Sequence, residues 1–223
     1  MSLPHSRKFL TTLRDRIAPT RTALLIVDMQ NDYVAEGGAS HKRHGTVAAV
    51  RAIIPTVKQL LLSARAAGTM VAYIQMTFDS ELRLLSDVDY LRRVKRYGET
   101  PMVVKGTWGH EVVDELAPLP GEMRVEKQRS SAFVGTNLDL LLRSNHIQSV
   151  IVTGVVTQGC VLATASSALM HDYYVTVASD CVASANKELH DAALLILRNS
   201  LVLEDSVVGA RKIMDIWSEQ GVS

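Results

Sequence analysis

The residues of this 223-residue chain best suited to chemistry are Cys160, Asp28 and Lys127. Cys160 stands in IVTGVVTQGCVLATASSALM, residues 151–170, between a β-branched apolar segment and a run rich in Ala and Ser. That junction predicts a cysteine at a helix N-terminus, where unpaired backbone N–H groups and the helix dipole favour a thiolate. The same N–H groups could hold the oxyanion formed when the sulfur attacks a carbonyl. Gly159 lets the chain bend tightly just before it. Asp28 terminates the apolar run LLIV and could accept a proton, while Lys127, in VEKQRSSAF, could stabilise a thiolate and orient the acid. Plainer readings compete with each of these. A cysteine among small residues is commonly a buried spacer, and Cys181 is read as one. VDMQND could be a turn whose carboxylates bond local amides, and a lone lysine is most often at the surface.

The surrounding elements decide whether the three can meet. Residues 23–27 form an apolar run without alternation, as expected of a strand covered on both faces. Residues 46–67 read as a helix with Pro55 at a kink or preceding turn, and TMVAYIQMTF reads as a second strand after Gly68. A charged region from Asp79 to Gly109 follows, in which ELRLLSDVDYLRRV could be helical. MRVEKQR, SVIVTGVV and YYVTVASDCVAS read as three further strands, and LVLED, 201–205, as a last short one. GTNLDLLLRSNHI, the run from Cys160 to His171, KELHDAALLILRNS and VVGARKIMDIWSEQ read as helices, the first capped by Thr136 or Asn137. Strands alternating with helices imply an α/β fold with a mainly parallel sheet, whose ligands sit beyond the carboxyl ends of the strands. Asp28, Lys127 and Cys160 all fall at or near such ends. Residues 1–21 are expected to be a helical leader packing on a neighbour, and residues 22–223 a single domain.

Composition narrows the functional classes. With 24 Lys+Arg against 23 Asp+Glu, the chain lacks the basic excess of a nucleic-acid or anionic-membrane binder. Two cysteines exclude a disulfide scaffold and a four-cysteine metal site. The absence of a secretory or membrane-spanning apolar run points to a cytoplasmic protein.

The segments ALLIVDMQNDYV, VEKQRSSAFVGTNLDLLLR and VIVTGVVTQGCVLATASSALMHDYYVTVASDCVAS together resemble the diagnostic blocks of the isochorismatase-like cysteine hydrolase superfamily. The resemblance runs in order from Thr22 to Ser200 and is nearest the N-carbamoylsarcosine, ureidoacrylate and biuret amidohydrolase branch. It implies a three-layer α-β-α fold around a six-stranded, mainly parallel sheet, with Asp28, Lys127 and Cys160 as the catalytic triad. It also implies a non-proline cis peptide between Val155 and Val156, with backbone N–H groups of Val156 and Cys160 as the oxyanion hole. The expected reaction is hydrolysis of the C–N bond of a small amide, ureido or carbamoyl compound through a thioester. The rivals are vinyl-ether hydrolysis of an isochorismate-like compound and a non-catalytic binding protein. Isochorismatases proper commonly lack the cysteine, which turns the expectation toward C–N bonds.

Further implied positions are softer. Gln30, Phe133, Trp108 and Gln158 are candidate pocket residues, and Arg83, Arg92 and Arg96 could meet a substrate carboxylate. The nicotinamidases of the family bind a metal through an Asp-x-His arrangement after the second strand. Here YIQMTFDSELRLLSD has no histidine, and His41 and His44 sit in an expected surface loop, so neither a metal nor another cofactor is expected. The family resemblance also implies a homo-oligomer, possibly a tetramer, with a small-molecule substrate as its partner.

Overall fold

The computed structural model describes residues 9–99, 101–201, 203 and 205–220. Among these residues six strands form one sheet: β1 (Thr22–Val27), β2 (Met70–Met76), β3 (Met123–Lys127), β4 (Ser149–Val155), β5 (Tyr174–Ala183) and β6 (Val207–Val208). Their order is β3-β2-β1-β4-β5-β6, and every pairing is parallel. The chain carries α1 (Leu13–Arg16) before β1, then α2 (Asn31–Val34), α3 (Ala39–His44), α4 (Ala48–Arg51) and α5 (Ile54–Ala66) before β2. Next come α6 (Asp87–Tyr97), α7 (Leu138–Ser144), α8 (Leu162–Met170), α9 (Lys187–Ser200) and α10 (Ala210–Gln220). No helix among the described residues is long and apolar enough to cross a membrane.

All six residues of β1 are buried because both faces of the sheet are covered. Successive side chains of a strand point to opposite faces, so one strand feeds two cores. Leu24 and Ile26 join Val57, Leu60 and Leu61 of α5 and Ile213 and Trp217 of α10. Leu25 and Val27 join Leu142 of α7, Ala165 of α8 and Leu197 of α9. The result is three layers, as the alternation of elements implies.

From β1 the chain moves to β2 and β3 on one side, and from β3 it crosses to β4 on the other. The carboxyl ends of β1 and β4 therefore flank the switch point at which open α/β sheets hold their ligands. Gly154 lets these two strands close up there. It has φ +102°, and a Cβ on it would lie 1.9 Å from the carbonyl oxygen of Val27. Gly154→Ala is accordingly expected to destabilise the protein by about 3 kcal/mol or more. Urea unfolding checks this, and an unchanged midpoint would contradict the packing argument.

Four expectations require correction. The stretch 46–67 is two helices, since Pro55 lies in the first turn of α5, where its missing N–H costs nothing. Of LVLED, the described residues are not in a strand, and β6 is instead Val207–Val208, which moves the start of the last helix to Ala210. A two-residue strand carries no readable periodicity. In the leader, α1 lasts a single turn and gives way to a 3-10 turn at Pro19–Arg21. Leu13 and Ile17 pack into this chain's own core, with Trp217 Nε1 donating to the Ile17 carbonyl at 2.7 Å, while residues 1–8 lie outside the described residues. Finally, His41 and His44 belong to α3 rather than to a loop.

Candidate active site

Asp28 follows β1 with φ +52°, a left-handed conformation that aspartate tolerates better than most residues. Its backbone N–H donates to the Ile74 carbonyl at 2.8 Å, which turns the carboxylate along the end of β2. There Oδ1 accepts from the Met76 N–H at 3.0 Å and Oδ2 from Lys127 Nζ at 2.9 Å. Lys127 is the last residue of β3, two strands away from β1. At about 4.8 Å per strand, only a long side chain spans that gap across the end of β2. Its ammonium also donates to the Arg129 carbonyl at 3.2 Å and to Cys160 Sγ at 3.3 Å. Both members of the ion pair are out of water, with side-chain exposures of 0% for Lys127 and 2% for Asp28. The structure thus brings the three candidate residues together, with Lys127 at the centre.

Cys160 sits in a single π-helical turn, Thr157–Val161, that runs directly into α8. Val156 precedes it through a cis peptide bond to Val155. Val155, Val156 and the half-buried Cys160 line one cavity together with Asp28. Tyr33, Phe78, Arg92 and Arg93 also line it. Arg93 lies over the Phe78 ring, with its guanidinium carbon 4.5 Å from the centroid. Arg92 donates to Asp89 at 2.6 Å, and Arg129 pairs with the same carboxylate at 3.3 Å.

The electrostatics differ from the sequence expectation at one point. Burial pushes the Cys160 thiol up to about 12, and the Asp28 carboxylate adds to this against the opposing pull of Lys127. Cys160 is therefore a thiol at rest, although a helix N-terminus beside a lysine favours a thiolate. Desolvation and a like charge outweigh the dipole here. Burial alone would lower the Lys127 ammonium, but Asp28 and Cys160 prevail and hold it above its ordinary value. Lys127 thus stays charged between the Asp28 carboxylate and the Cys160 sulfur.

The other candidates are scattered. Gln30 is fully buried and absent from the cavity wall. Its amide N–H groups donate to the carbonyls of Met76 and His110, and its oxygen shares the Met76 N–H with Asp28. Gln30 thereby braces the strand end that supports the carboxylate. Phe133 stacks on the His171 ring, centroids 4.9 Å apart, and is absent from the cavity wall. Trp108 is 56% exposed and lines a separate groove with Asp32 and Met102. Gln158 borders a second cavity with His44, Thr46 and Asn186, which meets the first across Tyr33 and Val156. Arg83 is at the surface beside Asp79 and Glu81, and the Arg96 side chain lies outside the described residues. Among the described residues no group of three or more His, Cys, Asp or Glu is placed to hold a metal ion.

Tyr33, Phe78 and Arg93 are cavity residues that sequence reasoning missed. Tyr33 had a usable signal, because it lies one helical turn beyond the loop that begins at Asp28. Phe78 had one as well, as the last residue of the stretch TMVAYIQMTF read as the second strand, whereas Arg93 had none, because nothing local says which side of its helix meets the strand ends.

Comparison with known proteins agrees with this architecture. The model of the isochorismatase domain matches residues 22–203. The ureidoacrylate amidohydrolase RutB of Pantoea ananatis is 33% identical over 187 residues, covering 79% of this chain and 75% of its own. A protein of Arabidopsis thaliana named as a probable inactive nicotinamidase is 35% identical over 181 residues, covering 80% and 88%. The crystal structure of an isochorismatase family protein from Desulfovibrio vulgaris superposes with a TM-score of 0.75 at 27% identity, covering 89% of this chain and 98% of its own. With the sheet order, the cis peptide and the strand-end cysteine already in place, these likenesses mean that the chain belongs to the isochorismatase-like cysteine hydrolase superfamily.

Proposed function

We propose that the protein hydrolyses the C–N bond of a small amide or ureido compound that carries an anionic group, through a thioester on Cys160. The observation that carries this reading is the buried Asp28–Lys127 pair in contact with Cys160 at one end of a cavity. As the sulfur attacks the carbonyl carbon, its proton passes to Asp28, so no free thiolate is needed beforehand. Backbone N–H groups of Val156 and Cys160 take up the oxyanion, a contribution of about 2.7–4 kcal/mol per donor in comparable sites. Protonated Asp28 then delivers the proton to the leaving nitrogen, and ammonia or an amine departs. A water deprotonated by Asp28 attacks the thioester, releases the acid and restores the thiol. Lys127 keeps its proton throughout and balances the carboxylate.

Charge around the cavity supports an anionic substrate. Arg92 and Arg93 line the cavity with Asp28 and Asp89, and Lys127 and Arg129, outside its lining, pair with those two carboxylates, so the four cations around the site outnumber its two anions. A ureido acid, the substrate class in the name of the Pantoea relative, fits that surplus. The test is ammonia release from a panel of small amides and ureido acids by the purified protein. Arg92→Ala and Arg93→Ala are each expected to raise KM for a carboxylate-bearing substrate by about tenfold or more. Its neutral ester should show no such change; equal losses on both would remove the charge argument. If the panel releases no ammonia while an isochorismate-like vinyl ether is consumed, the C–N reading is wrong.

A further inference from the structure

The nucleophile turn has a side-chain anchor outside the reacting groups. Thr157 opens the turn immediately after the cis peptide, and its side chain is fully buried. Its hydroxyl lies 2.8 Å from Nδ1 of His190, in the first turn of α9. α9 packs against the turn, and its N-terminus is capped by Asn186, whose side chain accepts from the Leu189 N–H at 2.9 Å. His190 itself borders neither the cavity of Cys160 nor the one beside it. Either neutral tautomer keeps the tie, because a threonine hydroxyl can donate to Nδ1 or accept from it.

We propose that His190 is a positioning residue, which clamps Thr157 and thereby fixes the turn from Val156 to Cys160. The inference rests on the amidohydrolase reading, in which that turn presents the oxyanion donors. The Val156 carbonyl accepts from both Gly159 at 2.9 Å and Val161 at 3.3 Å, and the second of these bonds makes the turn wider than an α-turn. Thr157 is the residue between Val156 and the rest of this loop, and rotation there moves the Cys160 N–H relative to that of Val156. A shift of even about 1 Å in such donors is enough to lower a rate a hundredfold. Transition-state charge is what those donors serve, so loosening them should lower kcat and spare KM.

The experiment uses the full chain with 3-ureidopropionate and the amide panel as substrates, and amide hydrogen exchange of the 156–162 segment as a readout independent of turnover. H190A is expected to lower kcat about tenfold with KM unchanged, and to speed exchange in the turn by a similar factor. H190N places an amide atom where Nδ1 stood and should restore both values. In a Thr157→Val background, H190A should add nothing further, since the partner hydroxyl is already gone. Thermal unfolding accompanies each variant. Should H190A prove unstable, His190→Gln replaces it, because its amide lies beyond the Nδ1 position and cannot renew the bond. Wild-type exchange and kcat in the variant would overturn the proposal, as would an undiminished effect in the Thr157→Val background. Failure of the amidohydrolase reading looks different: the wild-type chain would release no ammonia, while the exchange data would still report whether the clamp exists.

Discussion

Cys160→Ala is expected to lower ammonia release by at least about 10⁴-fold, as removal of a covalent nucleophile does in comparable hydrolases. The fold should survive, since the change empties space at the floor of an existing cavity and leaves the Asp28–Lys127 pair intact. Steady-state turnover beside a thermal melt checks both halves. Retained turnover in a folded variant would remove the thioester from the mechanism. The same cysteine gives a pH signature with a definite sign. Its folded thiol is pushed up to about 12, while an unfolded thiol titrates near roughly 8.5. The folded chain therefore holds the proton more tightly, and the stability this lends is fully present below about pH 8.5. It declines as pH climbs from there toward the folded value. Iodoacetamide labelling of Cys160 should accordingly be slow at neutrality and accelerate through the alkaline range. Fast labelling with no pH dependence near neutrality would mean a preformed thiolate.

Lys127→Met is expected to cost about 3–5 kcal/mol of stability and nearly all activity, because it strands a carboxylate that has almost no contact with water. Asp28→Asn strands the ammonium instead, while keeping the shape of the side chain at the Met76 N–H. Combining the two substitutions removes both charges and should recover a large part of the lost stability, since the penalty belongs to the unpaired ion. Activity should not return, because the base is gone. Urea midpoints of the single and double variants, with the ammonia assay, separate these effects; equal stability of all four proteins would refute the buried-pair account. Here too the pH sense is fixed. The Lys127 ammonium is held above its ordinary value, so its contribution is complete below about pH 10.4 and fades as pH rises through the folded value.

The wrong expectations have two causes, one local and one shared with the missed residues. Pro55 and the two-residue β6 are local matters of helix-start chemistry and short length. Phe133, Trp108 and Gln30 were placed on the pocket through resemblance alone, and nothing in their own segments says which way a side chain points. Phe133 instead closes the core near His171 and Tyr173, and Gln30 spends every hydrogen bond described for it on backbone. Arg92 was a candidate, yet its neighbour Arg93 also faces the cavity because α6 packs over the strand ends. That packing cannot be read from the helix itself.

Taken alone, the sequence determined the alternation of strands and helices, the parallel sheet and the location of Asp28, Lys127 and Cys160 at strand ends. Those features follow from local hydrophobic runs and turn residues, which act within a few positions of themselves. Only the tertiary structure decided what the three residues are chemically. Asp28 and Lys127 stand 99 positions apart, Lys127 and Cys160 a further 33, and their charges depend on meeting out of water. Burial made the cysteine a protonated thiol, and its neighbours keep the lysine cationic against its own burial, because desolvation and neighbouring charge are properties of a site and not of a residue type.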